Sequence, residues 1–339
     1  MIKYFKKLFV ILMLLLGFVT VVSCKENKYQ KIKVAEVAHS VFYAPQYVAL
    51  ELGYFEEEGL EIELFNANGA DKVTSSLLSG DVQIGLQGPE PTIYLYKNNS
   101  KDYLVNFAQL TNTDGSFIFG REPIENFNLT MLKGKSILGG RAGGVPEMTL
   151  EYVLKKAGLT IAKNSFEADV NVRTDVAFGA MAGAFLSGEG DFTTLFEPTA
   201  SEMVASGKLY LLASVGEYAG DVAFTAYSCS LKYFKENEDI LTKFTKAIYR
   251  GQLFVATHSN EEVAKVIKNQ FNEVSVETLT SVVERYRAIN AWCKTPEFSE
   301  KAFDNLQTIM IEAAELDSKV EFNTLVDNSI ALKVIKQKG

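Results

Sequence analysis

Apolar and polar residues alternate along 32–38 (IKVAEVA) and again along 60–65 (LEIELF), and a period of two predicts two strands. Between them, 41–50 (VFYAPQYVAL) opens as a loop around Pro45 and continues as a helix, with Gly53 and Gly59 punctuating the chain beyond it. Val73, Leu77 and Leu78 fall at helical spacing over 70–79, and Gly80 stops that helix. A third strand at 82–86 (VQIGL) runs into the turn-rich Gly88-Pro89-Glu90-Pro91. A helix at about 92–97 and a fourth strand at 104–110 (LVNFAQL) follow. Strands alternating with helices at this pitch predict an α/β chain with a mainly parallel sheet.

The pattern then restarts. A short strand at 136–139 follows Lys133-Gly134-Lys135, and a glycine-rich turn, 139–144 (GGRAGG), leads into a helix at 146–157. Pro146 in its first turn and Gly158 just past its end are the expected asymmetry of a helix. Further strands are predicted at 170–174, 192–196, 209–215 and 224–230. From 233 to 339 the chain reads as mostly helical, with runs near 237–257, 260–271, 275–289 and 297–316. Two α/β lobes result. Residues 31–115 begin lobe 1, 116–221 form lobe 2, and 222–339 return to lobe 1 with the C-terminal helices. Chain crossings near 113–119 and 221–226 make a hinge, and the cleft between two such lobes is a natural ligand site.

The first residues set the expected compartment. Lys3, Lys6 and Lys7 precede an apolar run over 8–22, which at about 15 residues falls short of the roughly 20 that span a bilayer and suits a signal-peptide core. Val21-Val22-Ser23-Cys24 resembles a bacterial lipobox, with Val21 where leucine stands more often. The expectation is a lipoprotein signal peptide over 1–23, a lipid on Cys24, a polar tether over 24–30 and anchorage on the extracytoplasmic face of the cell membrane. An ordinary signal peptide followed by a chance cysteine is the alternative.

Composition narrows the function classes. The chain from Cys24 is 316 residues (339 less 23), more than one hydrophobic core usually spans. The full sequence's net charge of -8 becomes -11 without the three leading lysines, which argues against nucleic acid and leaves a small ligand open. Besides Cys24 only Cys229 and Cys293 remain, able to form one disulfide in an exported chain or to serve as two small buried hydrophobes. With His39 and His258 as the only histidines, a metal centre or a catalytic triad has little material. No catalytic residue, metal or cofactor is expected.

Several segments together resemble the solute-binding proteins of ABC importers, in the group that handles nitrate, taurine, alkanesulfonates and thiamine-type pyrimidines. The run from Phe42 through Tyr43, Ala44 and Pro45 to Gly53-Tyr54-Phe55, followed by Glu57-Glu58-Gly59-Leu60, is similar to that group's aromatic segment and its A-x-x-x-G-Y/F-F-x-x-x-G-L pattern. Gly80-Asp81-Val82-Gln83-Ile84-Gly85, Leu132-Lys133-Gly134-Lys135 and Phe196-Glu197-Pro198 extend the likeness over nearly the whole chain. The resemblance implies the type II periplasmic-binding fold, no enzymatic step, and a monomer that passes a small molecule to permease and ATPase subunits. Two other readings stay open: an enzyme on the same fold related to thiamine-pyrimidine synthesis, and a solute-sensing lipoprotein without transport. The cysteine-rich motif of the enzyme branch has no counterpart here.

Ligands of open α/β sheets bind beyond the carboxyl ends of the strands. The loops after strands one, three and four therefore nominate His39, Phe42 and Tyr43; Gln87, Gly88 and Glu90; and Thr111, Asn112 and Asp114. The second lobe nominates Arg141, Gly143, Gly144 and Glu197. Gly143-Gly144 before the Pro146 helix, with Arg141, suits a sulfonate, carboxylate or phosphate. Phe42 and Tyr43 suit a planar heterocycle, for which Glu90 and Glu197 are acidic partners unless they are solvated loop carboxylates. Trp292 reads as core or lobe surface, and Asp221 and Tyr227 as hinge residues.

Overall fold

The computed structural model describes residues 29–338. The expected signal peptide, Cys24 and the tether through residue 28 lie outside the described residues. From Lys31 onward the chain forms one compact unit, built on two sheets.

The first sheet begins with β1 (Gln30–Glu36), whose alternation buries Ile32 and Val34 and exposes Lys31 and Lys33. Pro45 opens α1 (Ala44–Glu51) in its first turn. The chain continues through β2 (Leu60–Asn66), α2 (Ala70–Ser79), β3 (Ile84–Gln87), α3 (Glu90–Lys97) and β4 (Leu104–Thr111), which is buried along its whole length. The second sheet is built from β5 (Phe117–Gly120), β6 (Lys135–Leu138), α4 (Val145–Lys156), β7 (Ile161–Lys163), β8 (Val170–Arg173), α5 (Met181–Leu186), β9 (Phe192–Leu195), α6 (Thr199–Ala205) and β10 (Tyr210–Ser214). The chain then returns as β11 (Thr225–Ser230) and closes with α7 (Glu238–Thr257), α8 (Asn260–Ile267), α9 (Val276–Ala288), α10 (Glu300–Glu312) and α11 (Ser329–Lys338). Serine caps start three of these helices: Ser259 with Glu262 as a reciprocal capping box, Ser275 and Ser299. Gly251 lets α7 press on α1, since a Cβ there would run into the Pro45 carbonyl. No helix among the described residues is long and apolar enough to cross a membrane.

Both sheets are mixed rather than mainly parallel. The first has the order β2-β1-β3-β11-β4. β1 and β3 are parallel, while β11 lies antiparallel to both β3 and β4. The second has the order β10-β5-β9-β6-β8-β7, with β5 antiparallel to both its neighbours. β5 occupies part of the stretch expected to be only a crossing, and the short edge strand β7 is absent from the sequence reading. Each antiparallel strand stands where the chain passes from one sheet to the other, so its partners are distant in sequence.

The two passages run side by side. The Val222 amide donates to the Asn112 carbonyl at 2.9 Å, the Asn112 side-chain amide to Asp221 Oδ1 at 3.0 Å, and the Thr113 hydroxyl to the Gly220 carbonyl at 2.7 Å. Asp114 is buried and accepts from the Ser116 amide and hydroxyl, both at 2.6 Å; burial pushes its carboxyl up to about 7. At Gly115 a Cβ would sit 2.5 Å from the Phe42 ring, so only glycine fits. Cys229 and Cys293 are both free thiols, so the disulfide alternative is not formed. Tyr227 is core, donating to Gln46 Oε1 at 3.0 Å, and Trp292 is buried with its indole N–H donating to the Phe42 carbonyl at 2.9 Å.

Candidate functional site

The loops beyond the carboxyl ends of β1, β2 and β3 face those beyond β6, β8 and β9 across a cavity of about 480 Å³. That volume suits a small molecule. Val37, Ser40, Phe42 and Tyr43 enter from the first loop, Asn68 to Lys72 from the second, and Gly88 and Glu90 from the third. Phe224 and Thr225 line it at the start of β11. The second sheet supplies Gly140, Arg141, Gly144, Val145 and Pro146, then Thr174 to Phe178, and Phe196.

The floor is aromatic. The Phe42 ring lies 5.7 Å from Phe196 and 5.6 Å from Phe224, and Phe178 stands 5.5 Å from Phe196 at the rim. Phe42 is held in place by the Ser40 cap on its amide (3.2 Å), by the Trp292 bond to its carbonyl and by the bare Cα of Gly115. Tyr43 is buried on the same loop, and its hydroxyl makes no hydrogen bond among the described residues. Burial, with Glu36 and Glu90 nearby, holds that hydroxyl protonated.

Glu90, the first residue of α3, is 3% exposed. It lines the cavity together with Val145 at the start of α4, so it stands between the first sheet and the second. Its Oε2 is buried with no hydrogen-bond partner. Desolvation pushes the carboxyl up to about 8. Gly88 makes room for it, because a Cβ there would collide with the Glu90 carboxyl and sit 2.9 Å from Val145 Cγ2. Beside it the Tyr94 hydroxyl donates to the Gly143 carbonyl at 3.0 Å.

The glycine turn before α4 is engaged. The Gly143 amide donates to Glu147 Oε2 at 3.0 Å and the Gly144 amide to the Arg141 carbonyl at 3.2 Å; Pro146 has no N–H. Arg141 pairs with Asp71 across the cavity mouth, both side chains being at least half exposed. The groups that suited an anion therefore already hold protein partners.

Of the residues nominated from sequence, Phe42, Tyr43, Gly88, Glu90, Arg141 and Gly144 line the cavity. The others lie elsewhere. His39 bonds Glu36 (2.9 Å) and the Gln270 carbonyl (2.8 Å), and Glu36 raises its pKa. Thr111 is buried on β4 against Thr225 (2.5 Å), Asn112 and Asp114 sit in the chain passage, and Gln87 bonds Thr74 and Ser228 inside the sheet. Gly143 turns its backbone, at φ +74°, toward Glu147 and Tyr94. Glu197 is neither solvated nor in this cavity: it is buried, pairs with Arg285, and accepts from the Ser201 amide at 2.8 Å and hydroxyl at 3.1 Å. Sequence reasoning missed the Asn68–Lys72 and Thr174–Phe178 loops, which the carboxyl-end rule reaches once β2 and β8 are included. It nominated Thr111 and Asn112 by applying the carboxyl-end rule to β4, which β11 separates from β3.

The profile of the family described as NMT1/THI5 like matches residues 41–262. The chain is 42% identical over 317 residues to YtlA of Bacillus subtilis (strain 168), covering 93% of each chain. The alkanesulfonate-binding protein SsuA from Xanthomonas axonopodis pv. citri, bound to MOPS, is 17% identical and superposes with a TM-score of 0.70 over 88% of this chain and 98% of that one. The periplasmic nitrate-binding protein NrtA from Synechocystis PCC 6803 is 14% identical, with a TM-score of 0.68 over 91% of this chain and 89% of that one. At these identities the likeness establishes the fold, that of the type II periplasmic binding proteins.

Proposed function

The chain belongs to the NMT1/THI5-like family, and on that premise we propose that it is the solute-binding component of an ABC import system, held at the extracytoplasmic face of the membrane by a lipid on Cys24. The two halves, 31–115 with 222–339 and 116–221, act as lobes that close on the solute, and permease and ATPase subunits receive it. The observation that carries this reading is the cavity itself: about 480 Å³ at the carboxyl ends of both sheets, beside a double chain passage, with an aromatic floor.

Of the two ligand classes, the planar heterocycle has the better support. Its ring faces meet Phe42, Phe178, Phe196 and Phe224, and a hydrogen-bonding group on it meets Glu90 Oε2, which lacks a protein partner. A thermal-shift panel of pyrimidines, flavins, sulfonates and nitrate tests it. A bound ligand at about 100 times its Kd adds roughly 2.7 kcal/mol, so a heterocycle should raise Tm by several degrees; a response confined to sulfonates or nitrate would refute the ligand class. Cys24→Ala should move the protein from the membrane fraction to the soluble one. Binding without loss of solute uptake in a deletion strain would favour the sensing lipoprotein instead.

A further inference from the structure

We propose that the cleft selects a cation: Glu90, alone of the carboxyls that line the cavity, is buried and unpaired, and it serves as the counter-charge of a positively charged heterocycle whose ring lies on the phenylalanine floor. This names the class of solute within the solute-binding reading above and rests on it.

Three carboxyls line the cavity. Asp71 pairs with Arg141 and Asp175 with Arg173, and both carboxyls are half exposed. Glu90 has no such partner: its Oε2 is buried beside the bare Cα of Gly88 and makes no hydrogen bond. The cations that line the cavity stay at its mouth, where Arg141 is already paired and Lys72 is exposed. The ionisable groups around the Glu90 carboxyl are Tyr43 from the first loop, Tyr94 on its own helix and, past Gly143, Glu147 and Glu315. The one ammonium in that group, Lys163, is held by Glu147, Glu151 and Glu315.

A buried carboxyl without a counter-charge keeps its proton. A cation that enters the cavity supplies the missing charge. The carboxyl then ionises, its proton passes to water, and an ion pair forms where solvent is excluded. The rings beside it strengthen the preference. Phe42, Phe196 and Phe224 line the same cavity, and a cation within about 6 Å of a ring face is attracted to it. A sulfonate or nitrate gains from neither feature.

Two pairs of flat probes of matched shape separate charge from fit: benzamidine against benzamide, and 4-aminopyridine against aniline, the first of each pair being the cation. In calorimetry with the wild-type protein, each cation should bind at least about tenfold more tightly than its neutral partner at about pH 8. Its Kd should fall by up to about tenfold per pH unit from about pH 6, levelling near pH 8, where the free carboxyl ionises unaided. The neutral probes should show no such slope. Glu90→Gln keeps the shape without the charge, and should bind both members of a pair alike with a flat profile. Cations that bind no better than their neutral partners, absence of binding included, or a slope that survives in Glu90→Gln, would overturn the proposal. The wild-type comparison decides the matter even if the variant does not fold. Equal binding within each pair leaves the solute-binding reading in place, because the cavity then still holds a solute; that reading fails only on a thermal-shift panel in which no solute binds.

Discussion

Glu90 also makes a stability prediction that needs no ligand. The carboxyl is buried and pushed from its ordinary 4.5 up to about 8, which at about 1.36 kcal/mol per pH unit corresponds to about 5 kcal/mol. Relaxation and water entry on ionisation make that an upper figure, and about 2–5 kcal/mol is the expected range. The sign follows from proton counts. Between pH 4.5 and about 8 the folded chain keeps a proton on Glu90 that the unfolded chain has lost. Stability therefore falls as pH rises through that window, and the Glu90 contribution is level above it. Glu90→Gln keeps the shape and cannot ionise. Its stability relative to wild type should climb from about pH 5 to pH 8 and then level, a gap of roughly 5–10 °C in Tm. Asp114 and Glu147, each pushed up to about 7 by burial, tilt both curves alike, so the difference between the proteins isolates Glu90. Melting curves of both at fixed ionic strength suffice. Parallel curves across the window would refute the assignment of a buried, proton-holding carboxyl to Glu90.

Other substitutions separate cleft from scaffold. Arg141→Ala breaks an exposed ion pair with Asp71 and should cost under about 1 kcal/mol in urea denaturation, with solute affinity unchanged. Gly88→Ala places a methyl 2.9 Å from Val145 Cγ2 and against the Glu90 carboxyl; it should destabilise by about 1–3 kcal/mol and weaken solute binding in calorimetry. Arg285→Met strands Glu197, whose side chain is fully buried, and should cost about 3 kcal/mol, most of it recovered when Glu197→Gln is added. Phe178→Ala removes a rim ring and should lower affinity for a heterocycle by roughly tenfold while shifting stability by no more than about 0.5 kcal/mol.

Local signals carried most of the element pattern. Pro146 and Gly158 bracket a helix observed at Val145–Lys156, and the alternation at 32–38 and 60–65 matches β1 and β2. Strand order is a different kind of information. Nothing in 224–230 reveals that this segment inserts antiparallel between β3 and β4, because its hydrogen-bond partners lie more than 100 residues away. That insertion explains why the rule about carboxyl ends found Phe42, Tyr43, Gly88 and Glu90 but misdirected Thr111 and Asn112. Burial was equally hidden. Glu90 and Glu197 both sit in proline-bearing loops that read as solvated, yet both are buried, and Glu197 neutralises Arg285.

The same distinction decides what the polar residues of the cleft can do. A charge identified in sequence has an unknown partner, and a charge with a partner is a poor ligand group, because binding must first break the pair. Arg141, the natural anion contact by type and position, is paired with Asp71, and the Gly143 and Gly144 amides that follow it are bonded to Glu147 and to the Arg141 carbonyl. Glu90 Oε2 is buried and lacks a partner, which in a protein interior is an unstable arrangement unless something complements it. A solute carrying a hydrogen-bonding group on a flat apolar body supplies that complement: it satisfies Glu90 and covers the phenylalanine floor in one step. Selectivity in this cleft then comes from which polar groups the fold has left unsatisfied, and the abundant charges around the rim contribute little to it.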